Sequence, residues 1–153
     1  MNSKIRTCLW FEKGGLEAAH FYTSLISNSA LDDDENYGSR YPLVVNFTLA
    51  GAPYQILNGG PHYKPSPAAS ISVLTETQAE TDRLWNALTE DGGAEGRCAW
   101  LTDRWGVSWQ IVPRALLEMF KSTDRKAAER AEQAMLEMNK IDIATLEAAY
   151  NGD

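Results

Sequence analysis

A strand followed by a helix occurs twice in this chain at nearly the same internal spacing, and that repetition limits the folds open to it. Ile5 to Phe11 reads as the first strand, with Cys8, Leu9, Trp10 and Phe11 apolar in succession. Glu12-Lys13-Gly14-Gly15 turns the chain, and Leu16 to Ile26 follows with Ala18, Ala19, Phe21, Tyr22 and Leu25 at helical spacing. In the second half Ala69 to Leu74 is a short strand and Thr75-Glu76-Thr77-Gln78 supplies capping residues. The helix behind them carries Ala79, Leu84, Trp85, Ala87 and Leu88 to a stop at Gly92-Gly93. The offset from strand to Phe21-Tyr22 nearly equals the offset from strand to Leu84-Trp85. After each helix comes a polar or glycine-rich piece and then strands, Leu43 to Leu57 in one half and Arg97 to Val112 in the other. The pattern predicts two βαβββ modules in tandem, an α+β fold. The first strand, apolar at successive positions, is expected to be central and covered on both faces.

Each module closes on a hairpin. Leu43 to Leu49 alternates, Ala50-Gly51-Ala52-Pro53 is a tight connection, and Tyr54 to Leu57 returns. The second hairpin lies within Cys98 to Pro113, which holds three of the five tryptophans. Its first strand ends at Thr102, Asp103-Arg104-Trp105-Gly106 reverses the chain, and Val107 to Val112 returns. On the return strand Val107, Trp109 and Ile111 share one face while Ser108, Gln110 and Val112 share the other. Gln110 has two readings: an amide bonded to backbone and serving structure only, or an amide aimed into a ligand cavity. Asp103 and Arg104 read as an exposed pair worth under about 1 kcal/mol.

The connections carry less information. Ser27 to Tyr41, with Asp32-Asp33-Asp34-Glu35 in its middle, reads as a solvated loop or an edge hairpin and lacks the spacing of a calcium loop. Asn58-Gly59-Gly60-Pro61-His62-Tyr63-Lys64-Pro65 is too dense in glycine and proline to be an element. It is either a linker or a shaped functional loop centred on His62. His20, beside the stripe of the first helix, reads as a surface or half-buried residue. From Arg114 the composition shifts. Leu116, Leu117, Met119 and Phe120 make a short apolar turn, Ser122 or Thr123 caps a helix over Lys126 to Asn139, and Asp142 caps another over Ile143 to Tyr150. The expected division is one domain over 4–113, with module one at about 4–58 and module two at about 69–113. Residues 114–153 are expected to be a C-terminal helical extension of that domain.

Length and charge bound the function. At 153 residues the chain has room for one domain, and a formal charge of −7 with scattered Lys and Arg argues against nucleic acid as a partner. No apolar run approaches a membrane span, and no signal peptide is expected at the N-terminus. Two cysteines, Cys8 and Cys98, fit a reducing cytoplasm, where both are expected as buried small hydrophobes and not as a disulfide.

Specific residues carry a resemblance. Cys8-Leu9-Trp10-Phe11 with Glu17-Ala18-Ala19 and Phe21-Tyr22, then Asn58-Gly59-Gly60-Pro61-His62-Tyr63, then Trp100-Leu101 through Asp103-Arg104-Trp105-Gly106 to Ser108-Trp109-Gln110-Ile111-Val112-Pro113 resemble the PhnB-like branch of the glyoxalase/bleomycin-resistance/dioxygenase (vicinal oxygen chelate) superfamily. That branch is often labelled 3-demethylubiquinone-9 3-methyltransferase-like. The tail from Ala134-Met135 through Lys140-Ile141-Asp142 to Leu146-Glu147-Ala148-Ala149-Tyr150 is similar to the same family's C-terminus. The resemblance implies curved sheets around a cavity between the modules, usually completed in a homodimer, and a small-molecule ligand. The metal-using relatives place His or Glu ligands on the first and last strands of each half. Here the comparable places, near Arg6 or Cys8, near Gln55 or Leu57, near Ser70 and at Gln110, hold neither, so no metal cofactor is expected. The methyltransferase label lacks support in the residues, since no glycine-rich βαβ unit for a nucleotide-type cofactor is present.

Two functions follow. As an enzyme, the protein uses His62 as acid or base, with Gln110 and Asn58 as polar anchors for a small metabolite. As a binding module, it holds a planar or hydrophobic compound among Trp10, Trp100, Trp105 and Trp109 without chemistry. The enzyme reading predicts that His62→Ala, with its fold intact by circular dichroism, loses cavity binding or turnover; a variant unchanged in both removes His62 from the mechanism.

Overall fold

A computed structural model describes residues 3–32 and 42–153, in two compact units, one ending at Pro65 and one beginning at Ser66. In the first unit β1 (Thr7–Phe11) leads into helix α1 (Gly15–Leu25), followed by the two-residue strand β2 (Ala30–Leu31), β3 (Val44–Leu49) and β4 (Ala52–Asn58). Its sheet runs in the order β1-β4-β3-β2, with β1 and β4 parallel and the other pairs antiparallel. The strand expected to be central is therefore an edge strand, with Thr7 and Cys8 exposed. Its apolar run misleads because only one of its faces is turned to the core: Phe11 is buried, while Trp10 points the other way and is half-buried.

The core of this unit is made by alternation. Val45, Phe47 and Leu49 of β3 and Ile56 of β4 are buried under Ala18, Ala19 and Tyr22 of α1. The β3–β4 hairpin turns on Ala50 and Gly51, with φ of 47° and 87°, the left-handed pair that a two-residue connection needs to match strand twist. β2 adds the edge strand on β3, and Asp32 just beyond it bonds the Arg6 guanidinium and accepts from Thr48 Oγ1 at 2.8 Å. The remainder of the acidic stretch, Asp33 to Tyr41, lies outside the described residues.

The second unit repeats the order. β5 (Ser70–Thr75), α2 (Gln78–Thr89), the short β6 (Ala94–Glu95), β7 (Trp100–Thr102) and β8 (Ser108–Pro113) form a sheet in the order β5-β8-β7-β6. Again the first and last strands are parallel and the rest antiparallel. Thr77 caps α2 by accepting from Glu80 N–H, and Glu80 reaches back to accept from Glu76 N–H at 2.8 Å. Ile71, Leu101, Trp109 and Ile111 meet Leu84, Trp85 and Leu88 of α2 in the core, all 7% exposed or less. Three further helices follow, α3 (Arg114–Phe120), α4 (Arg125–Leu136) and α5 (Ile143–Asn151). The cap of α4 is Asp124, which accepts from Ala127 N–H, not Ser122 or Thr123, and α4 ends at Leu136, before the expected Asn139. Asp142 caps α5 as expected.

The turn of the second hairpin overturns the surface-pair expectation for Asp103. Its side chain is 2% exposed. Oδ1 accepts from the backbone N–H of Trp105 at 2.9 Å and Val107 at 3.0 Å, and Oδ2 accepts from Trp109 Nε1 at 2.9 Å. A carboxylate with these three donors in a buried turn is the turn's organising group, and Arg104 reaches Asp91 at 3.4 Å and lies over the Trp105 ring. Asp103→Ala leaves three donors unmet and is expected to cost about 2–4 kcal/mol in urea denaturation, with Asp103→Asn recovering part. A loss under about 0.5 kcal/mol for the alanine variant contradicts this account.

Candidate ligand cavity

Strand alternation gives the second sheet a face turned away from α2. It carries Ser72 and Leu74 of β5, Gln110 and Val112 of β8, and Trp100 of β7, and the register sets Ser72, Gln110 and Trp100 side by side across three strands. With this face Leu116, Leu117 and Phe120 of α3 and Met135 of α4 line a cavity of about 540 Å³, which Cys98 and Ala99 close at one side. That volume lies in the range of small-molecule sites. Gln110 Nε2 donates to Ser70 Oγ at 3.0 Å, so a side-chain hydroxyl and not the backbone holds the amide, and the residue also lines the cavity.

The helical wall is tied down by polar bonds at several places. Cys98 N–H donates to Met138 O at 2.8 Å and Ala99 N–H to Asn139 O at 2.9 Å, with both residues in the left-handed region at φ of 55° and 77°. Gln78 of α2 brackets the start of α5: its Nε2 donates to Ile141 O at 2.9 Å and its Oε1 accepts from Ile143 N–H at 2.8 Å. Lys140 pairs with Asp82 at 3.0 Å, and Arg114, the first residue of α3, makes a two-pronged contact with Glu76 at 2.7–3.0 Å. The Arg114 guanidinium holds the Glu76 carboxyl below its ordinary range, and hydrogen bonds from Gln78 and Lys140 do the same for Asp82. Depressed carboxylates stabilise the fold at neutral pH, and that contribution is lost as pH falls through their lowered values. Beneath these bonds Ala99, Leu116, Ile141 and Leu146 form a buried cluster, with Val112, Phe120 and Met135 packed against it.

The residues singled out from the sequence divide between the units. In the second unit Trp100 and Gln110 line the cavity, while Trp109 faces the opposite way, fully buried with its indole N–H on Asp103. In the first unit Asn58 is engaged on both sides of its amide: Oδ1 accepts from Gly15 N–H at 2.8 Å and Nδ2 donates to Pro42 O at 2.7 Å. Trp10 clamps the loop after β4, donating from Nε1 to Gly60 O at 2.9 Å and meeting Tyr63 edge to face at 5.0 Å. A Cβ on Gly59 would come within 2.4 Å of the Trp10 ring, which explains the glycine there. The loop is thus shaped, and His62 is exposed within it, as His20 is on α1. The cysteines depart from expectation, since Cys8 is exposed on the edge strand β1 and Cys98, in the segment before β7, is partly so.

Sequence reasoning did not connect Ser72, Leu74, Cys98 or the α3 residues with Gln110. A signal existed: Leu74 lies two residues beyond Ser72 on β5 and Val112 two beyond Gln110 on β8, so apolar positions follow polar ones along one face. The duplicated register also pairs Cys8 with Gln55 in the first sheet as Ser72 pairs with Gln110 in the second. Gln55 donates to Asn46 Oδ1 at 2.9 Å. Thiol, hydroxyl and amide groups make a poor donor set for a divalent cation of the oxygen-ligated kind. Among the described residues no three His, Cys, Asp or Glu side chains gather as such a site requires, and no helix is long and apolar enough to cross a membrane.

The tie between α2 and α5 is directly testable. Gln78→Ala removes both bonds to the start of α5 and is expected to lower stability by about 1–3 kcal/mol and to speed alkylation of Cys98 relative to Cys8. Unchanged stability and alkylation show that the helical wall does not depend on Gln78.

Comparison with known proteins bears on this architecture. The family model for 3-demethylubiquinone-9 3-methyltransferase matches residues 3–112. The PhnB protein of Bacillus cereus is similar at 31% identity and a TM-score of 0.62, over 72% of this chain and 99% of that one. Protein PA1353 of Pseudomonas aeruginosa shares the fold at 23% identity and a TM-score of 0.58, over 73% of this chain and 98% of that one. The fosfomycin resistance protein FosX of Listeria monocytogenes shares it at 12% identity and a TM-score of 0.50, over 74% and 93%. No curated protein matches the sequence. The duplicated module, the family match over 3–112 and the likeness to the Bacillus cereus protein together make this chain a member of the PhnB-like, 3-demethylubiquinone-9 3-methyltransferase family.

Proposed function

We propose that the protein binds a small molecule in the cavity on the second sheet, with Gln110 as its polar anchor and Trp100 as an aromatic wall. The observation that supports this most is the cavity's construction: about 540 Å³ lined mainly by large apolar side chains, with Ser72, Gln110, Cys98 and the Trp100 indole N–H as its side-chain polar groups. A core strand would place a leucine or valine where Gln110 stands. An amide held by Ser70 beside a cavity is the arrangement that orients a hydrogen-bonding ligand.

The reading is of binding, and no reaction is assigned to it. An enzyme reading with His62 as acid or base is a separate proposal confined to the first unit, supported by the setting of His62 in a loop that Trp10 clamps. Pairing of two copies belongs to the binding proposal, and native mass spectra report it directly.

Nile red, a neutral dye that brightens in apolar surroundings, tests the proposal. Titration is expected to saturate with one dye per cavity, and Gln110→Ala is expected to weaken binding about 3- to 10-fold, the value of one hydrogen bond. Ser72→Trp, which fills the cavity from an exposed strand position, is expected to abolish it. Dye binding that neither substitution alters places the site elsewhere and overturns the proposal.

A further inference from the structure

We infer that the ligand is uncharged over the whole portion that enters the cavity, an apolar body with a neutral hydrogen-bonding group such as a hydroxyl or carbonyl. This rests on the proposed cavity binding and specifies its chemistry. Of the eleven lining residues none is Asp, Glu, His, Lys or Arg. The charged groups nearest along the two long strands, Glu76 beyond β5 and Arg114 beyond β8, are committed to each other at 2.7–3.0 Å. Lys140 and Asp82, which help to fasten the helical wall, likewise pair with each other. An ionised ligand group inside the cavity would give up water and meet no charged side chain in the lining, which is the costly way to bury an ion, and the guanidinium of Arg97 next to Cys98 is held on Leu136 O.

Two further features point the same way. The rim is apolar: Leu74 and Leu117, at 40% and 38% exposed, are among the most exposed large hydrophobic residues of the second unit, and both line the cavity. Exposed leucines at a cavity mouth gain from an apolar visitor and offer nothing to an ion. The formal charge of −7 over the chain adds a general penalty for anions. Leu116, Leu117, Phe120 and Met135 lie beyond residues 3–112, so much of the apolar wall is supplied by chain outside the family match.

A matched set of naphthalenes tests the inference: the 2,6-bis(hydroxymethyl) compound, the 2,6-dicarboxylate and the 2,6-bis(ammoniomethyl) compound. Each carries its group at both ends, so one group enters whichever way round the molecule binds. Protection of Cys98 from iodoacetamide, read by peptide mass spectrometry against exposed Cys8, measures occupancy. Should Cys98 prove unreactive, quenching of Trp100 emission, taken as the difference from a Trp100→Phe variant, measures the same thing. The diol is expected to bind, and both ionic compounds to need at least about tenfold higher concentration. An ionic compound within about tenfold of the diol, with its effect lost in Ser72→Trp, overturns the neutral-ligand inference while leaving cavity binding intact. No cavity-dependent effect from any of the three overturns both.

Discussion

The second unit depends on an arch of four residues, Gly96 to Ala99, where the chain departs from regular pairing before β7. Cys98 and Ala99 both take left-handed backbone conformations that cost about 1 kcal/mol or more each for side chains with a Cβ. Hydrogen bonds in three directions offset that strain. Their N–H groups donate to Met138 and Asn139, Ala99 O accepts from Ile111 N–H, and Gly96 N–H donates to Trp100 O. The arch thereby binds the sheet to the segment between α4 and α5. Arg97 reinforces the join by donating to Leu136 O at 2.6 Å. Because sheet and helical wall are fixed to one another there, the space between them persists as a cavity instead of collapsing.

The two units share a topology and differ in how each sheet's second face is used. In both, the first strand lies parallel to the last and a glutamine stands at the same register, Gln55 opposite Cys8 and Gln110 opposite Ser72. In the first unit that glutamine bonds Asn46 on the neighbouring strand, within a face bearing an Arg6–Asp32–Thr48 network. In the second, Trp100 occupies the position of Asn46 and α3 covers the face. Duplication preserved the backbone and the buried face toward each helix. The other face was free to diverge, since its side chains do not hold the helix to the sheet.

Much of this was legible in the sequence where periodicity carries the information. The strand, helix and hairpin order follows from alternation and from turn residues, and the split of Val107–Val112 into a Trp109–Ile111 face and a Gln110–Val112 face follows from the two-residue period. Caps at Thr77 and Asp142 were readable because capping is a contact within a few residues. Asp103 was misread for a related reason. Its turn bonds are local, but Trp109 closing over its second oxygen is a matter of burial, which two adjacent charges in a sequence cannot reveal. The same holds for β1, whose apolar run suggested a central strand although the pairing order puts it at an edge.

The sequence by itself determined the family, the duplicated fold and the chemical types available to a site: amides, tryptophans, two thiols and few histidines. Tertiary structure decided which of them meet. Trp109 is held by a buried carboxylate, and Asn58 by a helix N-terminus and by Pro42 O. Trp100 and Gln110 came to face α3, whose Leu116 and Phe120 stand next to them only through contacts between elements. Periodicity assigns a side chain to a face, a property of one strand. What lies across from that face depends on how the tail returns, and here that return is set by the arch at Cys98–Ala99 and the side chain of Gln78.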